Sequence, residues 1–364
     1  MNRRQFLRYS AFCGLSVSLG SSSPFAQSFS ASKNDQPLLK GIQIIDAHAH
    51  PDRYVYNSRP TDHTSTLKAI QKLGMVASCF AAVGDSVFLN QGRVPGTEYH
   101  STKNQLEWWL KGIVKSGKVK LVLKAHDVPV VSNGDRPPGA ILAIEGGDAL
   151  RGDPDTVNEF YRLGVRIITL IHYRNNELGD TMRMWRNLSP GPPSNGLTPV
   201  GRKVVERMQD LGIIVDVAHA HTATLKQITE TSSRPLVDSH TNPCSMEDPL
   251  QCGRSRTWKE MERIAKTDGV VCTWPLAYTR GATIRITFSD WAKEILEMKN
   301  RLGIEHVGLG TDGGGGLPGL IEGYRDIDDL SKLIKAMQEI GFSHNDIAAY
   351  MGGNFYRILR SCIG

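Results

Sequence analysis

The chain has 364 residues, of which 40% are hydrophobic and 22% are charged, and its formal net charge is +6 at pH 7. This composition is ordinary for a globular enzyme, and the length allows one large domain or two small ones. The excess of positive charge is small and forms no basic stripe that could follow a phosphate backbone, which argues against nucleic acid as a partner.

The N-terminal segment predicts export from the cytoplasm. Arg3 and Arg4 precede a short apolar run over Tyr9–Leu19 and then Ser-rich sequence, the pattern of a twin-arginine signal peptide. We expect a signal peptide over residues 1–26, a polar linker over residues 27–40 and a location in the periplasm. An ordinary disordered basic tail is the alternative. No segment offers the roughly 18 apolar residues of a membrane span, so we expect no stable membrane anchor.

Eight short apolar runs follow the linker, and longer amphipathic segments separate many of them. Most of these runs are unbroken rather than alternating, which is typical of parallel strands buried on both faces. The predicted strands are Ile42–Ala47, Met75–Val83, Ala140–Ile144, Val165–Ile171, Ile213–Ala218, Leu236–Ser239, Val270–Trp274 and Val307–Thr311. A ninth extended stretch, Lys120–Val131, is predicted to lead into the third strand, and helices are predicted over Gly201–Leu211, Thr222–Thr229 and Asp290–Arg301.

Alternation of strand and helix predicts an α/β fold, a (β/α)8 TIM-type barrel, with residues 41–364 as a single catalytic domain. An open, doubly wound sheet is the alternative, but no Gly-x-Gly-x-x-Gly motif follows a predicted strand. Cys79, Cys272 and Cys362 lie in apolar runs and are predicted core residues. Cys244 and Cys252 could form a disulfide in an oxidising compartment.

Titratable side chains follow five of the predicted strands at the point where each strand ends. In such barrels the carboxyl ends of the strands meet at one mouth, so these side chains should converge there. His48 and His50 are two residues apart in extended chain and therefore point the same way. The others are Glu145 after the third strand, His219 after the fifth, His240 after the sixth and Asp312 after the eighth. One such histidine is more often a packed core residue, but the whole set predicts a metal site.

Imidazole and carboxylate ligands suit zinc, and Mn²⁺, Co²⁺ or Fe²⁺ could substitute for it in vitro. Four histidines and one glutamate are more ligands than a single tetrahedral ion uses while it keeps an open position. The set suits two ions that share one carboxylate.

Several stretches resemble the renal (membrane) dipeptidase family of zinc peptidases, within the amidohydrolase-like metal-dependent hydrolases. The resemblance covers residues 41–360 and is carried by IIDAHAH, AILAIEGG, GVRIITLIHYRNN, GLTPVGRKVVERMQDLGIIVDVAH, RPLVDSHTNP, RSRTW and HVGLGTD. It implies a binuclear zinc enzyme that hydrolyses the amide bond of dipeptides by means of a metal-bridging water, and it suggests a homodimer.

The resemblance also implies a role for each candidate residue. Glu145 bridges two zinc ions, His219 with His240 completes the shell of one ion, and His48 with His50 that of the other. His172, at the end of the fourth strand, faces the substrate and stabilises the developing oxyanion, unless it merely packs there. Asp312 orients or deprotonates the bridging water. Arg256 holds the free carboxylate of a dipeptide, with Arg254 as the alternative.

The sequence departs from the family pattern at four positions. His50 stands where the family usually has aspartate, Asp148 where histidine usually follows the Gly-Gly pair, Thr257 where asparagine follows the arginine, and Gly314 where many relatives have an acidic residue. The metal site therefore carries over more firmly than the substrate. The same site could act on another small amide or ester, such as an N-acyl amino acid, a lactone or a cyclic amide. A non-catalytic periplasmic binding barrel is the third alternative.

Overall fold

Eight parallel strands, each paired with the next along the chain, form the centre of the structure. The computed structural model describes residue 39 and residues 41–51, 66–85, 96–130, 136–182, 193–278, 284–317 and 319–364. The predicted signal peptide lies outside the described residues, and so does the predicted linker except for Leu39. The eight strands are β1 (Ile45–Asp46), β2 (Ala77–Val83), β3 (Gly139–Glu145), β4 (Val165–Thr169), β5 (Ile214–Asp216), β6 (Val237–Thr241), β7 (Val270–Thr273) and β8 (Val307–Leu309).

Each predicted strand overlaps one of these, so the (β/α)8 TIM-type barrel expected from the sequence is confirmed. The ninth extended stretch was predicted too long. Within its described part, residues 120–130, only Lys120–Leu121 is a strand, and it pairs with β3 beside the barrel. After it the chain turns into a short 3-10 helix over Ala125–Asp127, where the Asp127 side chain accepts the backbone N–H groups of Leu123 and Lys124.

The barrel closes between β8 and β1 through hydrogen bonds just beyond the two strands. Ala47 N donates to Leu309 O at 3.0 Å, Asp312 N to His48 O at 2.8 Å, and His50 N to Gly313 O at 2.7 Å. Closure therefore brings the histidines that follow the first strand next to the aspartate that follows the last.

Helices lie between the strands and after the last of them. They are α1 (Thr66–Leu73), α2 (Glu98–Trp108), α3 (Pro154–Leu163), α4 (Pro199–Leu211), α5 (Thr222–Thr231), α6 (Pro249–Cys252), α7 (Trp258–Ala265), α8 (Phe288–Leu302), α9 (Leu330–Glu339), α10 (His344–Ala348) and α11 (Asn354–Ile363). The three predicted helices lie in α4, α5 and α8. The Thr198 side chain accepts Gly201 N to cap α4, and Gly212 ends it at φ 80°. Within the described ranges, no helix combines the length and apolarity needed to cross a bilayer.

Alternate side chains of the strands pack on opposite sides, as the unbroken apolar runs predict. In β3, Ile141 and Ala143 belong to a cluster that draws on most of the strands and on α11, whereas Leu142 and Ile144 pack in the larger cluster with the other helices. Cys79, Cys272 and Cys362 are buried free thiols, which confirms them as core residues. With both faces apolar, polar side chains concentrate at the strand ends.

Candidate metal centre

The four histidines predicted as ligands and His172 meet around the carboxylate of Glu145. The distances from Oε1 of Glu145 to the Nε2 atoms of His48, His219 and His240 are 3.4, 3.2 and 3.4 Å, and those from Oε2 to the Nε2 atoms of His50 and His172 are 3.3 and 3.4 Å. Each of these side chains is at most 3% exposed. The structure therefore brings five imidazoles onto the two oxygens of one buried carboxylate.

Two residues of this centre hold left-handed backbone conformations that side chains other than glycine rarely adopt. The φ angle is 64° at His219 and 50° at Asp312. Each is fixed by hydrogen bonds, Met182 N donating to His219 O at 2.7 Å and Asp312 N donating to His48 O at 2.8 Å. Strain of this kind is typically kept where it positions a functional side chain.

The spacing of the ligand atoms fits a metal ion. Nitrogen ligands about 2 Å from a tetrahedral zinc ion lie roughly 3.3 Å from each other. The Nε2 atoms of His48 and His50 are 3.2 Å apart, and those of His219 and His240 are 3.0 Å apart. His50 Nδ1 lies 2.7 Å from Ala81 O, which can only accept, so the proton of neutral His50 is on Nδ1 and its Nε2 lone pair faces His48. A proton or a metal ion between the two Nε2 atoms would stabilise this arrangement.

The ligand atoms fall into two groups that share one carboxylate. His48, His50 and Glu145 form the first, and Glu145, His172 and His219 the second. His240 belongs beside the second group, since its Nε2 lies 3.0 Å from that of His219 and 3.4 Å from Glu145 Oε1. Both groups are fully buried and consist of nitrogen and oxygen donors, the chemistry that zinc and similar ions prefer.

The electrostatic environment keeps two histidines of the cluster neutral and Glu145 negative, and it favours a positive charge on His50. Burial, together with the charge of Arg254, holds the pKa values of His219 and His240 well below their usual range, so both imidazoles offer lone pairs. Burial favours the protonated form of Glu145, but the surrounding histidines outweigh it and hold its pKa well below the usual range. Burial also opposes a charge on His50, yet its hydrogen bonds to Asp312 and Glu145 raise its pKa to about 10. These acidic partners favour a cation at the same place.

Asp312 reaches the cluster from the last strand, as the sequence suggests. Its Oδ1 lies 3.3 Å from His50 Nε2, and the residue is 9% exposed. The glycine two residues later, where many relatives are acidic, is required by the local turn. Gly314 has a φ of 80°, and a Cβ atom there would lie 2.6 Å from the carbonyl oxygen of His50.

Asp85 is a functional candidate that the sequence reasoning missed. It lies 3.0 Å, by Oδ2, from His172 Nδ1, and the same oxygen accepts the backbone N–H of Tyr173 at 3.1 Å. Both Asp85 and His172 are at most 1% exposed. Asp85 follows β2 directly after one glycine, so the strand-end rule that identified Glu145 could also have identified Asp85.

Asp148, which replaces the usual histidine of the family pattern, lies behind this pair. Asn176 Nδ2 donates to its Oδ2 at 3.0 Å, and Arg174 Nε lies 3.5 Å from its Oδ1. Burial and then the charge of nearby Asp85 raise the pKa of Asp148 to about 7. The replacement of histidine by Asp148 therefore places a second acidic residue near Asp85, the residue that contacts His172.

Arg256 lies among protein acceptors. Its Nε donates to Asp238 Oδ2 at 2.8 Å, its Nη1 to Ala220 O at 2.6 Å and its Nη2 to Val217 O at 2.6 Å. Both charged side chains are fully buried, and a buried aspartate needs such a partner. None of these contacts supports the carboxylate-binding role predicted for Arg256.

Arg254, the alternative, lies against the ligand cluster. Its Nη2 donates to His240 O at 2.7 Å, and its guanidinium carbon is 5.1 Å from the centre of the Trp274 ring. It is 3% exposed, and its buried Nε has no hydrogen-bond partner among the described residues. A cation with an unused donor beside His240 fits an anionic group of a ligand.

A disulfide closes the segment that leads to Arg254. Cys244 and Cys252, the pair left open by the sequence, are bonded with their Cα atoms 5.6 Å apart. The bonded loop lies between His240 in β6 and the arginine. Two short parallel strands, Pro243–Cys244 and Arg256–Thr257, pair at its base.

The barrel and its centre define a class: a TIM-type barrel with a metal-ligating cluster at the carboxyl ends of its strands. The sequence profile of the membrane dipeptidase family (peptidase family M19) matches residues 32–362. The chain therefore belongs to the membrane dipeptidase family, as its resemblance suggests.

Curated relatives include two fungal proteins. Dipeptidase tcpJ of Claviceps purpurea is 27% identical over 246 residues, 67% of this chain and 56% of that protein. Dipeptidase aclJ of Aspergillus oryzae is 24% identical over 347 residues, 89% of this chain and 79% of that protein. The chain thus spans little more than half of the first relative and about four fifths of the second.

Solved structures with the same fold include two bacterial proteins. The probable dipeptidase PvdM from Pseudomonas aeruginosa has a TM-score of 0.77 at 19% identity, over 91% of this chain and 98% of that chain. A metallo peptidase from Rhodobacter sphaeroides has a TM-score of 0.73 at 19% identity, over 88% of this chain and 99% of that chain. At such identities the likeness supports the fold alone.

Proposed function

We propose that this protein is a dipeptidase whose activity depends on two zinc ions bridged by Glu145. The observation that carries the proposal is the arrangement of imidazoles around both oxygens of this one carboxylate. His48 and His50 would hold one ion, and His219 and His240 the other. Membership in the membrane dipeptidase family supports a dipeptide as the substrate.

Zinc bound at this centre would lower the pKa of a shared water to near neutrality and polarise the amide carbonyl. The chain's own residues handle protons and orientation. Asp312 would take the proton of the attacking water and pass it to the leaving amine, since its carboxylate lies at the cluster and is partly exposed.

His172 would face the carbonyl of the scissile bond and stabilise the developing oxyanion. Its Nδ1 is directed at Asp85 and its Nε2 at Glu145, which supports that orientation. Asp85 would act as a positioning residue, because it holds the imidazole through the nitrogen remote from the substrate.

Arg254 would hold the free carboxylate of the dipeptide, in place of Arg256. It is buried beside His240 and has a donor, Nε, without a partner among the described residues, whereas Arg256 donates to Asp238 and two carbonyl groups. A cation at a fixed distance from the metal centre would select short substrates with a free C-terminus.

A second candidate is the same centre acting on another small amide or ester. The departures at His50, Asp148 and Gly314 favour it, because they alter the charge and shape of the centre relative to the family pattern. A screen of the zinc-loaded protein distinguishes the two. We expect hydrolysis of L,L- or L,D-dipeptides, and turnover of only N-acyl amino acids or lactones would favour the second candidate. The Rhodobacter peptidase is liganded with a phosphinate mimic of L-Ala-D-Ala, so the screen should include that dipeptide.

We further propose that the protein acts in the periplasm after twin-arginine export. The disulfide between Cys244 and Cys252 supports an oxidising compartment. Replacing Arg3 and Arg4 by lysine should leave an uncleaved precursor in the cytoplasm, as measured by cell fractionation. An unchanged periplasmic yield would contradict this route.

A further inference from the structure

The side chain of Ser239 lies behind two of the proposed zinc ligands. Its Oγ is 2.9 Å from His240 Nδ1 and 3.3 Å from His48 Nδ1. The same oxygen is 2.7 Å from Asp216 Oδ2. Ser239 and Asp216 are completely buried. One hydroxyl therefore contacts an imidazole from each of the two proposed zinc sites.

The carboxylate of Asp216 fixes the direction of the serine hydroxyl. Its Oδ1 accepts the backbone N–H groups of Ala218 and Ser239, each at 3.0 Å. Its Oδ2 accepts the hydroxyl of Thr169 at 2.5 Å and that of Ser239 at 2.7 Å. A carboxylate surrounded by four donors acts only as an acceptor, so the hydroxyl hydrogen of Ser239 points to Asp216.

With that hydrogen committed, the Ser239 oxygen has only its two lone pairs to offer. Each can accept one N–H, and the available neighbours are the Nδ1 atoms of His48 and His240. Both imidazoles then carry their hydrogen on Nδ1 and present the Nε2 lone pair. These Nε2 atoms are the ones that lie 3.4 Å from Glu145.

We propose that Ser239 is a positioning residue that fixes the tautomer and orientation of one ligand of each zinc ion through a single oxygen atom. The inference rests on the proposed two-zinc centre. Because both ligands are anchored to the same atom, loss of the hydroxyl loosens both zinc positions together rather than one of them. The three partners of Ser239 come from β5, β6 and the end of β1, so the anchor ties three strands of the barrel to the centre.

The test compares Ser239→Ala with Thr169→Val in zinc-binding measurements. Zinc per chain is counted in the wild type, and both dissociation constants are then measured by competition with a chelator. Ser239→Ala should raise both constants by about 10- to 100-fold, the usual effect of removing a partner that orients a ligand. Thr169→Val removes the other hydroxyl that donates to Asp216 but touches no histidine. It should change both constants by less than about threefold.

The outcomes separate this inference from the proposed function. A wild type that binds a single zinc overturns both. A wild type that binds two, with a folded Ser239→Ala variant of unchanged affinity, overturns only the role of Ser239. Weakening of one position alone overturns the shared anchor.

A second measurement needs no variant. Long-range proton–nitrogen correlation spectra of the zinc-loaded wild type should show His48 and His240 protonated at Nδ1 and metal-bound at Nε2. Metal binding through Nδ1 of either residue would overturn the proposal.

Discussion

His240 and Arg254 lie at the same edge of the barrel, but their positions are fixed in different ways. His240 belongs to β6, so the pairing of that strand with β5 and β7 determines where its side chain lies. Arg254 follows an irregular segment that is held by the Cys244–Cys252 disulfide and by its own bond to His240 O. The metal-binding side of the centre, which we call the strand side, thus depends on strand register. The substrate-binding side, which we call the loop side, depends on a cross-linked loop.

The largest effect should follow from a change on the strand side. Glu145→Ala removes the carboxylate shared by both ligand groups and leaves the surrounding histidines without their anionic partner. We expect zinc content to fall at one or both positions and kcat to drop at least about a thousandfold. Metal analysis and steady-state kinetics check this. Glu230→Ala on the exposed face of α5 is the control and should match the wild type.

The two arginines on the loop side should respond differently to substitution by alanine. Arg254→Ala removes the proposed partner of the substrate carboxylate, worth about 1.5–3 kcal/mol or about 10- to 150-fold in kcat/KM, chiefly through KM. Amidation of the dipeptide should impair the wild type by a similar factor and the variant hardly further. Equal rates on free and amidated dipeptides in the wild type would contradict carboxylate anchoring.

Arg256→Ala is the matched comparison, two residues away. It leaves Asp238 buried without its cation, so the free energy of unfolding should fall by about 3–5 kcal/mol. Urea denaturation measures this loss. A variant of full stability with a KM raised as for Arg254→Ala would return the carboxylate role to Arg256.

The strand side was predictable from the sequence because its residues come directly after apolar runs. Each of the eight runs overlaps a strand, and the shared direction of parallel strands places His48, Glu145 and His240 at one mouth. The loop side was not predictable in this way. Which arginine faces the centre depends on Asp238, a buried acid that is remote in sequence from Arg256 and meets it only in the folded barrel. Asp85 was missed although it also follows a strand, since a single aspartate after a glycine resembles an ordinary turn residue.

A smaller effect on the strand side should distinguish a residue that orients a neighbouring side chain from one that binds metal. Asp85→Asn keeps the shape of the side chain but removes the charge 3.0 Å from His172 Nδ1. We expect kcat to fall by about 10- to 100-fold with KM and zinc content unchanged. Asp148→Asn is the control, because Asp148 lies close to Asp85 and has no contact with His172 among the hydrogen bonds of the described residues. An equal loss of kcat in both variants would contradict a specific role for Asp85.

The smallest effect should come from opening the loop itself. Replacing Cys244 and Cys252 together by serine removes the covalent bond within the segment that links β6 to Arg254. We expect KM to rise by a few fold, because the arginine is less well positioned, with zinc content and kcat near wild type. Loss of zinc from this variant would show that metal binding by the strand side also depends on the loop.

One titration tests most directly whether this protein is a two-zinc dipeptidase. Metal is removed from the mature protein, zinc is added back in steps, and hydrolysis of a dipeptide is followed together with the zinc bound per chain. We expect activity to rise until two zinc ions are bound per chain. Full activity at one bound zinc ion, with no further gain at two, would contradict the shared centre around Glu145.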